Sequence, residues 1–409
     1  MTLRSMKKGY LLDTHRICPP TETLSLARRA APMAGITRVA EITGLDRLGI
    51  PVFTSMRPKA AEGAVTVYNG KGFTAEEAEV SAIMEGVERF SAEKGSHASL
   101  HGTLVELSDG HVVLDPRRII LPGARHYSTS DRLEWVRGSS LFSGEEILVP
   151  AESVFHPYER ENQLFRTNTN GLAVGNVMEE AVFHGLMEVI ERDAWSLFEV
   201  NASQARDLGL EDCMARSDPV REVIKRLESA SVEPHLKDIT SDVGVTTIAA
   251  AIDDEATQDA ALLSLGVGTH LVPEIAVLRA LTEAVQSRLT TIHGTREDTF
   301  KAEYTRRIGY ERMKRINRKW FSSSAKSVKF ADLSSHQSDD FLDDIGYTLS
   351  CLRKAGLDEA IAVDLTRSGT GIPAVRVIVP GLEVYALDKE RGGRRLRAAM
   401  ARMAGGEPV

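Results

Sequence analysis

Cysteine is scarce in this chain. Three stand among 409 residues, Cys18, Cys213 and Cys351, odd in number and never in a Cys-x-x-Cys pair. That pattern argues against a disulfide framework or a structural zinc site, and it points to a cytoplasmic location. Each thiol reads as a buried structural residue. Long apolar runs are missing too, since none approaches the ~18 residues of a membrane span. The basic start, Met1 to Lys8, has no apolar stretch behind it, so no signal peptide and no membrane partner are expected. A net charge of −8 gives no electrostatic case for nucleic acid. Two nucleotide signatures are also absent. No Gly-x-x-x-x-Gly-Lys-Ser/Thr run occurs, and no Gly-x-Gly-x-x-Gly opens a strand–helix unit, so neither a Walker nor a Rossmann nucleotide site is predicted.

What is present is one short pattern, twice. Glu85-Gly86-Val87-Glu88-Arg89 and Glu188-Val189-Ile190-Glu191-Arg192 lie about a hundred residues apart. Both fall in segments that read as helix, where a spacing of three puts two carboxylates on one face. Two such helices could gather four acidic side chains around one spot. Four carboxylates cannot stay ionised side by side without positive charge, so hard cations are the natural partners.

The first helix is predicted over Ala75–Lys94, with Thr74 and Glu77 as a capping box and Gly95 as a stop. Ser81, Glu85 and Glu88 form a stripe flanked by Ala78, Ala82, Val80 and Met84, which suggests an enclosed cleft. The second is predicted over Val177–Glu199, with Asn176 as N-cap and Glu179 at N3. Asn176, Glu180, His184, Glu188 and Glu191 recur at spacings of four, four, four and three, within an arc of roughly 120°. Phe183, Leu186, Ile190 and Leu197 take the adjoining, core-facing arc. A solvent-facing charged stripe is the alternative for either helix alone. The matched pair favours a site.

Length allows two to three domain-sized units or one large body with a sizeable core. Further helices are predicted at Thr21–Ala31, Pro219–Ser231 with Asp218 as N-cap, Pro273 to Ile292, and Asp388 to Met403, the last amphipathic. Strands are predicted at Ala64–Tyr68, Gly244–Ala251 and Ala374–Val379, and short β-like pieces between Thr103 and Val154. The basic stretch Arg306 to Lys329, followed by Asp332, Asp339, Asp340, Asp343 and Asp344, reads as a solvated helix with a charged connector; it could instead dock a partner protein.

Two glycine-rich pieces stay open at this level. Asn69-Gly70-Lys71-Gly72 precedes the capped helix and is either an anion-approaching loop, with Lys71 on phosphate, or an Asn-Gly hairpin turn. Gly266-Val267-Gly268-Thr269-His270 reads as a turn leading to Glu283, Gln286 and Arg288, then Gly294-Thr295-Arg296-Glu297-Asp298. Arg288 and Arg296 either cap structure or complete an anion site.

Together these pieces resemble the YcaO family of ATP-dependent peptide-backbone-modifying enzymes. The matching elements are Ser81-x-x-x-Glu85-x-x-Glu88-Arg89, Gly171-Leu172-Ala173-x-Gly175-Asn176, Glu188-x-x-Glu191-Arg192, Asn69-Gly70-Lys71-Gly72, Gln286-Ser287-Arg288 and Val379-Pro380-Gly381-Leu382-Glu383. The resemblance implies an α+β, YcaO-type fold of mixed β-sheets packed against helices, with ATP and Mg2+ as cofactors. It implies Glu85, Glu88, Glu188 and Glu191 as magnesium ligands. Arg16, Thr23, Lys71, Ser81, Asn176, Glu180 and Arg192 would line the nucleotide site. No catalytic base is assigned. The implied division is an N-terminal segment 1–62 contributing to the nucleotide site, a catalytic core 63–385 and a C-terminal amphipathic helix 386–409.

The chain resembles stand-alone archaeal members in particular. Its end, Gly405-Gly406-Glu407-Pro408-Val409, lacks the Pro-x-Pro-x-Pro tail of azoline-forming members, and no fused recognition domain is visible. The stand-alone type works with a TfuA-like partner protein on a protein or peptide substrate, as on a glycine of methyl-coenzyme M reductase. An external sulfide source supplies the nucleophile, and the product is a backbone thioamide. A homodimer is expected. The alternatives are an azoline-forming cyclodehydratase, a nucleotide-binding scaffold and a di-iron-type carboxylate protein. The last needs Glu-x-x-His, whereas Ser91 and Ala194 stand at those positions.

Overall fold

Three sheets and one short hairpin organise the chain. The computed structural model describes residues 1–161, 163–297 and 301–403. Helices pack on mixed sheets, so the class is α+β, as expected. Among the described residues, no helix is long and apolar enough to cross a membrane.

The three-stranded antiparallel sheet pairs Arg38–Glu41, Val52–Met56 and Val67–Lys71. The last strand forms later than the predicted Ala64–Tyr68, so Asn69, Gly70 and Lys71 are strand and not turn. Their register against Val52, Phe53 and Thr54 places one side of their backbone in the ladder, which removes the hairpin-turn reading, while Asn69 and Lys71 line the cavity described below. A Cβ on Gly70 would overlap the backbone nitrogen of Ala82. The glycine therefore lets the strand press against the first motif helix, Ala75–Ala92, whose predicted Thr74/Glu77 capping box is present. Helix Pro20–Ala30 covers the other flank through Leu24 and Ala27 against Ile83 and Val87.

The six-stranded sheet has Leu100–Gly102, Leu133–Ser140, Ile361–Asp364, Ala374–Ile378 and Leu172–Val174 in that order, with Glu146–Pro150 beside Leu133–Ser140. The predicted β-like piece at His111–Leu114 makes only an isolated bridge, Val113 to Leu148. The second motif helix, Met178–Val200, lies on this sheet, and its predicted core residues Phe183, Leu186 and Ile190 pack with Val375 and Val377. Its N-cap is Val177, with no side-chain bond, rather than Asn176. Asn176 is one residue too early, and its amide is turned to Glu180.

The five-stranded sheet runs Ser264–Thr269, Thr247–Asp253, Glu233–Asp238, Arg206–Leu208 and Ser327–Val328. Gly266 and Gly268 lie inside its first strand and do not form a turn. A Cβ on Gly266 would overlap the carbonyl oxygen of Ala280, so both glycines admit the long helix Pro273–His293. Ile248, Ala250 and Ile252 meet Ala276, Leu281 and Val285 in this core. The Asp218–Ser229 helix is capped by Ser217, whose hydroxyl accepts from Val220 N, and not by Asp218.

The basic stretch forms three short helices, Lys301–Ile308, Tyr310–Ile316 and Arg318–Phe321. The acidic residues after it reach elsewhere: Asp339 and Asp340 pair with Lys7. The tail helix covers Arg394–Met403, shorter than predicted. Glu383 accepts from Gly393 N at 2.7 Å and Leu396 N at 2.8 Å, capping it, and Arg395 holds Asp193 at 2.8 Å. Asp298 and the final Gly405-Gly406-Glu407-Pro408-Val409 lie outside the described residues.

Candidate functional site

A cavity of about 820 Å³ opens where the three sheets' helices converge, and both Glu-x-x-Glu-Arg motifs line it. Glu85, Glu88 and Arg89 enter from the first motif helix and Glu188, Glu191 and Arg192 from the second. Arg16, Thr23, Lys71, Ser81 and Glu180 line the same cavity. Asn176 stands behind the wall, where it accepts from Thr23 Oγ1 at 3.2 Å and donates to Glu180 Oε1 at 3.2 Å. Glu180 also accepts from Ile17 N at 3.0 Å. This chain of bonds ties the N-terminal segment to the second motif helix.

The four motif carboxylates share the cavity without closing on one point. Among the described residues, no three His, Cys, Asp or Glu side chains are grouped so as to hold a metal ion as they stand. The physical reason is repulsion, relieved by interleaved arginines. Arg89 donates to Glu85 Oε1 at 3.3 Å and lies 3.6 Å from Glu88. Arg192 lies 3.6 Å from Glu191, which also accepts from Thr269 N at 3.1 Å.

Protonation reports the same crowding. Burial pushes the Glu88 carboxyl up to about 8, with Glu188 and Glu85 adding repulsion against the pull of Arg89. Burial likewise lifts Glu191 to about 7, with Glu283 and Glu188 adding to it and Arg192 opposing, and it raises Glu188. Glu283 goes the other way. Burial would raise it, but Lys71, 2.7 Å away, and Arg192 bring it down.

Carboxylates buried too deeply to ionise freely, with others nearby, are an oxygen-only donor set that a hard divalent cation would neutralise. The arginines carry the complementary need. Arg89 Nη1 and Arg192 Nε are buried with no hydrogen-bond partner, as is Nε of Arg279 in the same wall. Unsatisfied guanidinium N–H groups suit phosphate oxygens. The residues present therefore fit a polyphosphate with divalent cations.

Sequence reasoning missed Arg279 in the cavity and gave Glu77 and His184 no role there. Arg279 belongs to no motif, and its signal is the helical recurrence Arg279, Glu283, Gln286 on one face. Glu77 was legible only as a cap; it also lines the cavity and accepts from Tyr10 at 3.1 Å. His184 lies on the predicted stripe and accepts from the Arg16 guanidinium. Burial first, then Arg16 and Arg279, hold its imidazole well below its ordinary value, so it is neutral and free to accept. Arg288 does not reach the cavity. It is buried in ion pairs with Asp46 at 2.7 Å and Asp254 at 2.9 Å, so it is structural. Arg296 does line the cavity.

Comparison with known proteins gives five findings. The family model described as YcaO cyclodehydratase, ATP- and Mg2+-binding, matches residues 69–383. An uncharacterized protein of Methanothermobacter thermautotrophicus is 50% identical over 385 residues, 93% of this chain and 98% of its own. A Rhizobium leguminosarum bv. trifolii protein, known as an uncharacterized protein in the tfuA 3′ region, is 31% identical over 381 residues, 91% and 90% of the two chains. The structure of YcaO from Methanopyrus kandleri bound with AMPPCP and Mg2+ superposes with a TM-score of 0.78 at 30% identity, over 95% of this chain and 98% of that one. A heterocyclase in complex with substrate and cofactor shares the fold, with a TM-score of 0.85 at 22% identity, over 100% of this chain and 57% of that one.

Proposed function

The chain belongs to the YcaO family, and from that premise we propose that it activates a peptide backbone amide with ATP and Mg2+ and installs sulfur there, giving a thioamide. The observation that carries the ATP chemistry is the pairing of two Glu-x-x-Glu-Arg helices across one cavity, with carboxylates crowded and arginine N–H groups unsatisfied. Glu85, Glu88, Glu188 and Glu191 would hold Mg2+. Arg16, Thr23, Lys71, Ser81, Glu180 and Arg192 would line the nucleotide, with Asn176 fixing Thr23 and Glu180. In this proposal residues 1–62 would serve the nucleotide site, 63–385 would be the catalytic core and 386–409 a C-terminal segment that includes the helix Arg394–Met403.

When bound, ATP would supply a phosphoryl group and Mg2+ would neutralise the negative charge on its phosphate oxygens. The chain's residues do the positioning. Arg192 is always protonated, stacks over Trp195 at 5.3 Å and presents its fork to phosphate. His184, kept neutral, holds Arg16 on the opposite wall. In the substrate, sulfide adds to a backbone carbonyl and creates a tetrahedral oxyanion. Phosphorylation of that oxygen lets it depart as phosphate, the thiol proton leaves, and C=S remains.

The choice of sulfide is supported by likeness to the relative from the tfuA 3′ region, which also motivates a TfuA-like partner protein. A second reading is favoured by the description of the matching family model: an azoline-forming cyclodehydratase, with a substrate Cys, Ser or Thr as nucleophile. Mass spectrometry of a candidate peptide after incubation with ATP, Mg2+ and sulfide separates the two. A thioamide adds about sixteen mass units as phosphate leaves, whereas loss of water with no need for sulfide identifies the cyclodehydratase. A homodimer is part of the proposal, and light scattering that gives 44.8 kDa at every concentration contradicts it.

A further inference from the structure

Residues 302–321 hold seven lysines and arginines against two glutamates, in a chain whose net charge is −8. The first two of the short helices, and Asn317 at the junction before the third, also build the cavity wall, through Ala302, Thr305, Met313 and Asn317. Four of the cations are committed. Arg306 pairs with Asp259 at 2.9 Å, Arg307 with Glu303 at 2.5 Å, Lys314 with Asp253 at 2.5 Å and Lys319 with Glu199 at 2.8 Å.

Arg312, Arg315 and Arg318 are different. All three are exposed, and among the described residues none makes a side-chain hydrogen bond or ion pair. Arg312 and Arg315 are three apart on one helix and so adjacent on its face, and Arg318 opens the next. Met313 and Asn317, their chain neighbours, already touch the cavity. The same segment exposes Tyr304 to 70% and Ile316 to 60%. Cations that fork onto carboxylates, beside an uncovered aromatic and an aliphatic side chain, match a peptide with acidic and apolar residues.

We infer that this face docks an acidic segment of the polypeptide substrate, laid over Tyr310–Ile316 and Arg318–Phe321 and leading into the cavity. The inference rests on the cavity being where a peptide backbone is modified. The exposed Glu303 and Glu311 interrupt the cationic face, which suits a peptide with spaced acidic residues better than the continuous phosphate backbone of a nucleic acid.

The test uses the full chain and a fluorescein-labelled glutamate-rich peptide, its glutamine counterpart and a single-stranded oligonucleotide, with binding read by anisotropy at low and high salt. The glutamate peptide should bind at least about tenfold tighter than the glutamine one, and salt should erase the difference. Arg312→Glu with Arg315→Glu and Arg318→Glu should abolish that preference, and the triple glutamine variant should weaken it, with melting temperature and Mg2+-ATP binding unchanged. Equal binding of the two peptides, an unaffected triple variant or tighter binding of the oligonucleotide overturns the docking surface. Failure of the unaltered protein to bind Mg2+-ATP overturns the cavity reading instead, so the two failures are distinguishable.

Discussion

Lys71 Nζ lies 2.7 Å from Glu283 Oε2, joining the edge of the three-stranded sheet to the Pro273–His293 helix inside the cavity. The lysine expected to touch phosphate is bonded to a carboxylate. Each partner keeps about a fifth of its side chain exposed, 18% for Lys71 and 21% for Glu283, so the pair sits between a surface and a buried ion pair.

Replacing Lys71 by Met should therefore cost about 1–2 kcal/mol near neutral pH, between the surface and buried limits. Because Lys71 and Arg192 depress Glu283 against the effect of burial, the carboxylate's contribution is present above its unfolded pKa and is lost as pH falls through its folded one. Urea unfolding across that acidic range should show the gap between the two proteins closing. A gap that widens on acidification contradicts the assignment.

Glu85→Gln and Glu188→Gln each remove an anionic oxygen while keeping shape. Both should lower Mg2+-dependent phosphate release from ATP by about a hundredfold or more, the scale on which one preorganised polar group matters. Circular dichroism should show the fold intact. Full ATP turnover in both variants would rule out the cation assignment.

Glu88, held near 8, and Glu191, held near 7, carry a pH signature. A carboxyl raised on folding stabilises the protein below its unfolded pKa, and that contribution is lost as pH rises through the folded value. The metal-free protein should thus melt at lower temperature at pH 8 than at pH 6. Stabilisation by Mg2+-ATP should grow over the same interval, since the cation meets ionised ligands. Glu88→Gln should flatten the metal-free profile; thermal melts of both proteins across this range provide the check.

Asn176→Ala tests the corrected helix start. Loss of a true N-cap typically costs about 1 kcal/mol. Here Asn176 links Thr23 to Glu180 beside the cavity, so the dominant effect should be a several-fold rise in the KM for ATP, with kcat largely kept. Steady-state kinetics beside thermal melts separate the outcomes: a large fall in melting temperature with KM unchanged restores the capping role.

The motif helices were legible because their information is local. Thr74 and Glu77 cap one start with the predicted capping box, and the four-and-three recurrence from Glu180 to Glu191 marks one cavity face. The glycines misled for the opposite reason. Gly70 and Gly266 are required by a helix packed across each strand, from Ala82 and Ala280 respectively, and nothing nearby in sequence distinguishes that need from a turn. Arg288 stayed open between a structural role and an anion site because its partners Asp46 and Asp254 are distant in the chain. Arg279 stayed hidden because its recurrence with Glu283 and Gln286 is short and mixed in charge, and the fold is needed to show that this face lines a cavity.

The cavity wall draws on Arg16, Glu85, Glu188 and Glu283, which are spread over most of the polypeptide. A chain growing from the ribosome exposes its N-terminal pieces first, at about 5–20 residues per second. Glu283 must emerge before the wall can close, so nucleotide cannot act as an early folding template for the nascent chain. The second acidic helix waits longer still, because Val375 and Val377 on the strand it packs against emerge after Glu283, so any assistance from Mg2+-ATP comes only as a late lock on a nearly finished structure.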